Sequence, residues 1–127
     1  MDLKFYEYSK CSTCQKALKY LTAQKINFEK IAIVDHPPTL NELKKMLQYL
    51  KNEDKNFKNL FNTSGVLYRE LKISEQLKNG LTEAEALKLL SQNGKLIKRP
   101  FLIGPDFGTV GFHESDWKTL LKAFNSK

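Results

Sequence analysis

The period of the apolar residues changes twice within the first 34 positions, and this constrains the fold more than anything else in the chain. Leu3 to Tyr8 alternate weakly between apolar and polar and are rich in aromatics, which predicts a strand. Ser9, Lys10 and Cys11 interrupt it. Cys14, Ala17, Leu18 and Leu21 then recur at the spacing of one helical face, with Lys16, Lys19 and Lys25 outside it, so a helix follows with Ser12 or Thr13 as its expected cap. Asn27 to Val34, carrying Phe28, Ile31 and Ile33, predicts a second strand. Strand, helix and strand in this order form a βαβ unit, whose right-handed crossover makes the two strands parallel.

Pro37 and Pro38 end that unit. Thr39-Leu40-Asn41-Glu42 has the form of a capping box opening a helix through Leu43, Leu47 and Leu50. From Asn52 to Gly80 short apolar clusters in a polar background predict short helices and turns. Thr82 to Glu85 form a second capping box, and the helix behind it is expected to stop at Asn93-Gly94. Pro100 to Ile103 and Thr109 to Phe112, separated by a Gly104 to Gly108 turn, read as a hairpin, since Pro100 fits only the start of a strand. Ser115 is the expected cap of a last helix built on Trp117, Leu120, Leu121 and Phe124.

The order is βαβ, an all-helical middle, then ββα. This is the order of an α/β, thioredoxin-like fold: a four-stranded mixed sheet from about residues 1–36 and 95–127, with a helical insertion over about 37–94, all in one domain of residues 1–127.

Composition narrows the function. At 41% hydrophobic residues, with no run of the roughly 20 apolar residues a bilayer needs, the chain reads as one compact domain and not as a disordered, fibrous or membrane-spanning protein. Charges fill the first eight residues where an export signal needs an apolar stretch, so the expected location is the reducing cytoplasm. The net charge of +7 comes almost wholly from lysine, since Arg69 and Arg99 are the only arginines among 21 basic residues. These lysines are dispersed, often beside Glu or Asp, which favours a solvated surface over direct nucleic-acid binding.

Chemistry is therefore sought in scarcer residues. Cys11 and Cys14 are the only cysteines, and in a reducing compartment their short spacing points to redox work instead of a permanent bridge. At a helix N-terminus, unpaired N–H groups and the helix dipole stabilise a thiolate, which makes Cys11 the expected nucleophile, with Lys10 adding positive charge nearby. Cys14, one turn on and more buried, is the expected resolving thiol, closing a Cys11–Cys14 disulfide. The alternatives are inert packing or zinc held with His36 and His113; those lone histidines lack paired ligand spacing, so no metal is expected. Arg99-Pro100 is a candidate cis peptide facing the cysteine loop, with Arg99 holding an oxyanion or stabilising the Cys11 thiolate. Asn62 or Arg69 could reach the same loop from the Asn62 to Gly65 turn, and His113 could donate a proton or bind an anion, although a capping Asn, a surface Arg and a passive His read equally well.

Three motifs in this order, Cys11 to Ala17, Asn62 to Gly65 followed by Tyr68-Arg69-Glu70-Leu71, and Lys98-Arg99-Pro100 followed by Val110-Gly111-Phe112, give a chain that resembles the ArsC/Spx family over nearly its whole length. The resemblance implies a thioredoxin-like core with a helical insertion. It also implies one of two activities. The family's glutaredoxin-linked arsenate reductases attack arsenate with a Cys that matches Cys11, while three Arg hold the anion; Arg99 matches one, and Asn62 and His113 stand at the other two. Those enzymes generally use an external thiol and lack a Cys at position 14. Spx-type regulators carry the Cys-x-x-Cys pair as a redox switch, match Arg99, and bind the RNA polymerase α subunit. The reading taken from the residues and the resemblance together is a thiol–disulfide oxidoreductase without a bound cofactor. Cys11, Cys14 and Arg99 are expected to be catalytic; Lys10, Ser12, Thr13, Asn62, Pro100 and His113 are expected to bind a small oxyanion or disulfide substrate. Glutathione, glutaredoxin or thioredoxin is the expected electron donor.

Overall fold

The computed structural model describes residues 3–125. In chain order the elements are β1 (Lys4–Glu7), α1 (Ser12–Ala23), β2 (Glu29–Ala32), α2 (Leu40–Lys51), a 3-10 turn (Phe57–Leu60), α3 (Val66–Glu70), α4 (Ile73–Lys78), α5 (Glu83–Gln92), a second 3-10 turn (Gly94–Leu96), β3 (Phe101–Ile103), β4 (Gly108–Val110) and α6 (Glu114–Asn125). The four strands lie in the order β2-β1-β3-β4. β1 pairs parallel with β2, placing Phe5 opposite Lys30, and antiparallel with β3, placing Phe5 opposite Leu102. β3 pairs antiparallel with β4, Leu102 opposite Thr109. This is the mixed thioredoxin-like sheet that the element order implies, with the hairpin antiparallel to its neighbour.

Period-two alternation divides the core. Along β1 and β3, Phe5 and Leu102 point to one face of the sheet, where Leu3, Ala17, Leu21, Ile26, Trp117 and Leu121 of the α1 and α6 layer meet them. Tyr6, Phe101 and Ile103 point to the other, where the insertion supplies Leu43, Met46, Leu47, Leu50, Leu60, Ile73, Leu87 and Leu90. Both expected capping boxes form: Thr39 accepts from the Glu42 N–H at 3.1 Å and Thr82 accepts from the Glu85 N–H at 3.2 Å, while each glutamate reaches back to its cap's N–H.

Two local expectations are corrected. The cap of α1 is Cys11, not Ser12 or Thr13, because Cys11 keeps an extended backbone (φ −93°, ψ 116°) and its sulfur accepts the Cys14 N–H. α6 starts at Glu114, so Ser115 lies inside the helix, where its carbonyl accepts from Thr119 at 3.2 Å. α5 does stop at Asn93-Gly94 as expected; Gly94 then opens the second 3-10 turn, where a Cβ would run into the carbonyl oxygen of Ile33. Close backbone approach is what requires glycine at that position.

Candidate active site

The end of β1 leads straight into the cysteine loop. Tyr8 C=O accepts the Cys11 N–H at 3.0 Å, turning the chain, and the Gln15 side-chain amide donates to Ser9 C=O at 2.9 Å, closing the loop from the helix side. Cys11 Sγ then accepts the Cys14 N–H at 3.3 Å. The sulfur thus takes the place of a capping oxygen, where free amide hydrogens and the positive end of the helix dipole favour negative charge.

The two thiols are both free and differ in exposure: Cys11 is half-buried and Cys14 is buried. Burial pushes the Cys14 thiol up to about 12, reinforced by its hydrogen bond with Cys11 and by the charge of Cys11. A backbone hydrogen bond with Tyr8 and the positive charge of Arg99 work in the opposite direction. Cys14 is therefore a protonated thiol at neutral pH, and the Arg99 charge reaches the cysteine pair.

Arg99 comes from the other side of the loop. The Arg99-Pro100 peptide is cis, as expected, and the Arg99 guanidinium carbon sits 4.7 Å from the centre of the Tyr8 ring. Among the described residues no carboxylate pairs with Arg99 and no protein group accepts from its guanidinium. Pro100 is buried, and its carbonyl accepts the Gly111 N–H at 2.8 Å, which fastens the chain after β4 to the Arg99-Pro100 step. Gly111 holds φ +76°, a conformation that suits glycine.

Lys10, Ser12 and Thr13 are exposed around the loop. The remaining candidates are not joined to it: among the described residues no hydrogen bond links Asn62, Arg69 or His113 to the cysteine loop. Asn62 N–H donates to Leu96 C=O at 2.7 Å, beside the bridge between Phe61 and Ile97, and its side-chain amide packs over Gly65, where a Cβ would stand 2.9 Å from it. Asn62 is thus engaged at the turn into α3. Arg69 is exposed on α3. His113 is exposed just before α6, and its carbonyl accepts the Trp117 N–H at 3.0 Å. His36 is exposed as well, and among the described residues no three His, Cys, Asp or Glu side chains gather as a metal site would require. No helix among the described residues is long and apolar enough to cross a membrane.

Sequence reasoning passed over two residues of this site. From the sequence Tyr8 reads only as the end of a strand, and Gln15 only as part of the Cys11 to Ala17 motif. No local signal marks Tyr8, because its turn is made by the main chain and its ring meets Arg99, which is distant in sequence.

The arrangement of a helix-capping thiol, a buried second thiol one turn on, and an unpaired arginine before a cis-proline invites comparison with known proteins. The ArsC family model matches residues 6–120. The chain belongs to the ArsC family. Among its relatives is YusI of Bacillus subtilis, an uncharacterised protein, 41% identical over 118 residues that cover 93% of this chain and 97% of YusI. The regulatory protein MgsR of Bacillus subtilis is 30% identical over 129 residues, covering 95% of this chain and 91% of MgsR. A crystal structure of an ArsC family related protein from Bacteroides fragilis superposes with a TM-score of 0.86 at 43% identity, covering 94% of this chain and 98% of that one.

Proposed function

We propose that this ArsC family chain is a thiol–disulfide oxidoreductase with arsenate as its candidate substrate, Cys11 as nucleophile and Cys14 as resolving thiol. The observation that carries the reading is the pairing of Cys11, capping α1 with its sulfur, with a buried Cys14 whose N–H already points at that sulfur at 3.3 Å. Cys11 attacks arsenic, an S–As bond forms, and one arsenate hydroxyl leaves as water after taking up a proton. Arg99, with its donors free, holds the anion's remaining oxygens.

Cys14 then attacks the Cys11 sulfur and gives up its proton. The S–S bond forms, the electron pair of the S–As bond stays on arsenic, and arsenite departs. Pentavalent arsenic is reduced to trivalent while two thiols become one disulfide. Two glutathione thiols, or the dithiol of a glutaredoxin or thioredoxin, return the disulfide to the reduced state.

The test supplies the reduced protein, glutathione and glutaredoxin with arsenate and measures arsenite. Wild type is expected to turn over, Cys11→Ser to give none, and Arg99→Ala to be slowed. No arsenite above background from wild type removes arsenate as the substrate.

The similarity to the regulatory protein MgsR favours a second reading, in which the Cys11–Cys14 pair is a switch that governs binding to the RNA polymerase α subunit. Capture of the α subunit by the reduced and the oxidised protein separates the two: capture that depends on the cysteine state supports the switch, and absence of capture in both states rejects it.

A further inference from the structure

We propose that Tyr8 is a positioning residue for Arg99, its ring face holding the guanidinium at the cysteine loop while leaving every N–H of the fork open to an anion at Cys11. The proposal rests on the assignment of Arg99 to the anion in the reading above. An arginine is usually fixed by a carboxylate, but a carboxylate here would neutralise the charge and occupy the fork. An aromatic face 4.7 Å from the guanidinium carbon fixes the group without doing either. Among the described residues no hydrogen bond or ion pair fixes the Arg99 side chain beside this ring contact.

The ring is itself well held. Tyr8 is half-buried and packs against the large core under the insertion, which anchors the ring on which the guanidinium lies. Its main chain does the complementary work, accepting the Cys11 N–H at 3.0 Å. One residue therefore sets the position of both the sulfur and the arginine, which arrive from β1 and β3 through unrelated parts of the sequence. Substituting the ring separates the two roles, because the main-chain bond survives any side chain.

The test reads the positive charge at Cys11 without assuming a substrate. Rate constants for alkylation of Cys11 are measured by peptide mass spectrometry with anionic iodoacetate and neutral iodoacetamide, and their ratio is compared among variants. Arg99→Ala is expected to lower the ratio roughly threefold or more. Tyr8→Leu is expected to lower it roughly two- to fivefold, without exceeding the Arg99→Ala effect. Tyr8→Phe, which keeps the ring face, restores most of the ratio, and the double variant Tyr8→Leu with Arg99→Ala falls no further than Arg99→Ala alone. The iodoacetamide rate and circular dichroism report whether each variant is folded, and Tyr8→Met replaces Tyr8→Leu if the latter is not. A ratio unchanged in Tyr8→Leu while Arg99→Ala lowers it, or a double variant that falls by the product of the single effects, overturns the role of Tyr8 alone. An unchanged ratio in Arg99→Ala overturns the anion role of Arg99 in the proposed function, and the role of Tyr8 with it.

Discussion

The two faces of the sheet are built from different materials. Under the insertion the core is largely aliphatic, drawn from α2, α5 and the turns between them, and many side chains share the load. Under α1 and α6 the core is smaller and turns on aromatics: Trp117 meets Phe5 and Phe112 edge-on at centroid distances of 6.3 and 4.9 Å, and Phe5 meets Phe28 at 5.7 Å. The cysteine loop belongs to the helix of the aromatic face, while Tyr8 beneath Arg99 is packed on the aliphatic one. A face with many equivalent contributors can lose one and keep its shape. A face that turns on a single tryptophan cannot, and the site depends on that face.

Truncating each face tests this. Trp117→Ala is expected to cost about 3–5 kcal/mol. It also removes the indole N–H that donates to Gly111 C=O at 3.1 Å, and Gly111 N–H in turn holds Pro100. Leu90→Ala in the aliphatic face is expected to cost about 2–5 kcal/mol by the loss of a fully buried side chain, with no such link to the site. Urea unfolding gives the two stabilities, and iodoacetamide alkylation of Cys11 under native conditions gives the effect on the loop. Trp117→Ala should change the alkylation rate and Leu90→Ala should not; equal changes in both would dissolve the distinction between the faces.

A second contrast is electrostatic, and it falls at the edge of the aliphatic face. Glu42 accepts from Tyr6 Oη at 2.7 Å, from Lys4 Nζ at 3.0 Å and from the Thr39 N–H at 3.1 Å. Burial by itself would raise the Glu42 carboxyl, but the hydrogen bonds from Tyr6, Thr39 and Lys4 outweigh it and hold the carboxyl below its ordinary value. A carboxyl lowered in the folded state stabilises the fold above the ordinary carboxylate range, and that stability is lost as pH falls through the folded value. Urea midpoints between pH 7 and about 3 should therefore fall less steeply for Glu42→Gln than for wild type. The aromatic core, made of side chains that do not titrate in this range, should give no such dependence in the Trp117→Ala variant beyond that of wild type. A Glu42→Gln curve parallel to wild type would show that this network contributes nothing.

What the sequence made legible follows from how local each feature is. Both capping boxes form as expected, because a cap and the residue three positions on suffice to specify them. The mixed four-stranded sheet was legible too, since a βαβ unit followed by a hairpin leaves few sheets to choose from. What escaped was set by partners distant in sequence. Gly94 resembles a helix stop, but the carbonyl of Ile33 is what excludes a side chain there. β1 is shorter than its apolar run suggests, because Tyr8 spends its carbonyl on the Cys11 turn. In the site, Cys11, Cys14, Arg99 and Pro100 come together as the motifs imply. Asn62 instead folds over Gly65 within the turn that the sequence predicts, and the seat of Arg99 on Tyr8 joins two residues that nothing in the sequence pairs.

The smallest expected effect is also the most diagnostic of how chemistry and folding share the start of α1. Cys11 is both the reactive thiol and the residue whose side chain caps the helix. Serine is among the best capping residues, and its oxygen accepts an N–H more strongly than sulfur does. Cys11→Ser should therefore change stability by less than about 0.5 kcal/mol, in either direction, while abolishing every reaction of the thiol. Cys11→Ala removes the acceptor as well and should cost about 1 kcal/mol. Both variants lose the chemistry equally, so any difference between their urea midpoints isolates the capping role. If Cys11→Ala unfolds at the wild-type midpoint, the Cys14 N–H gains nothing from the sulfur, and the cysteine is held at that position by the backbone turn from Tyr8 alone.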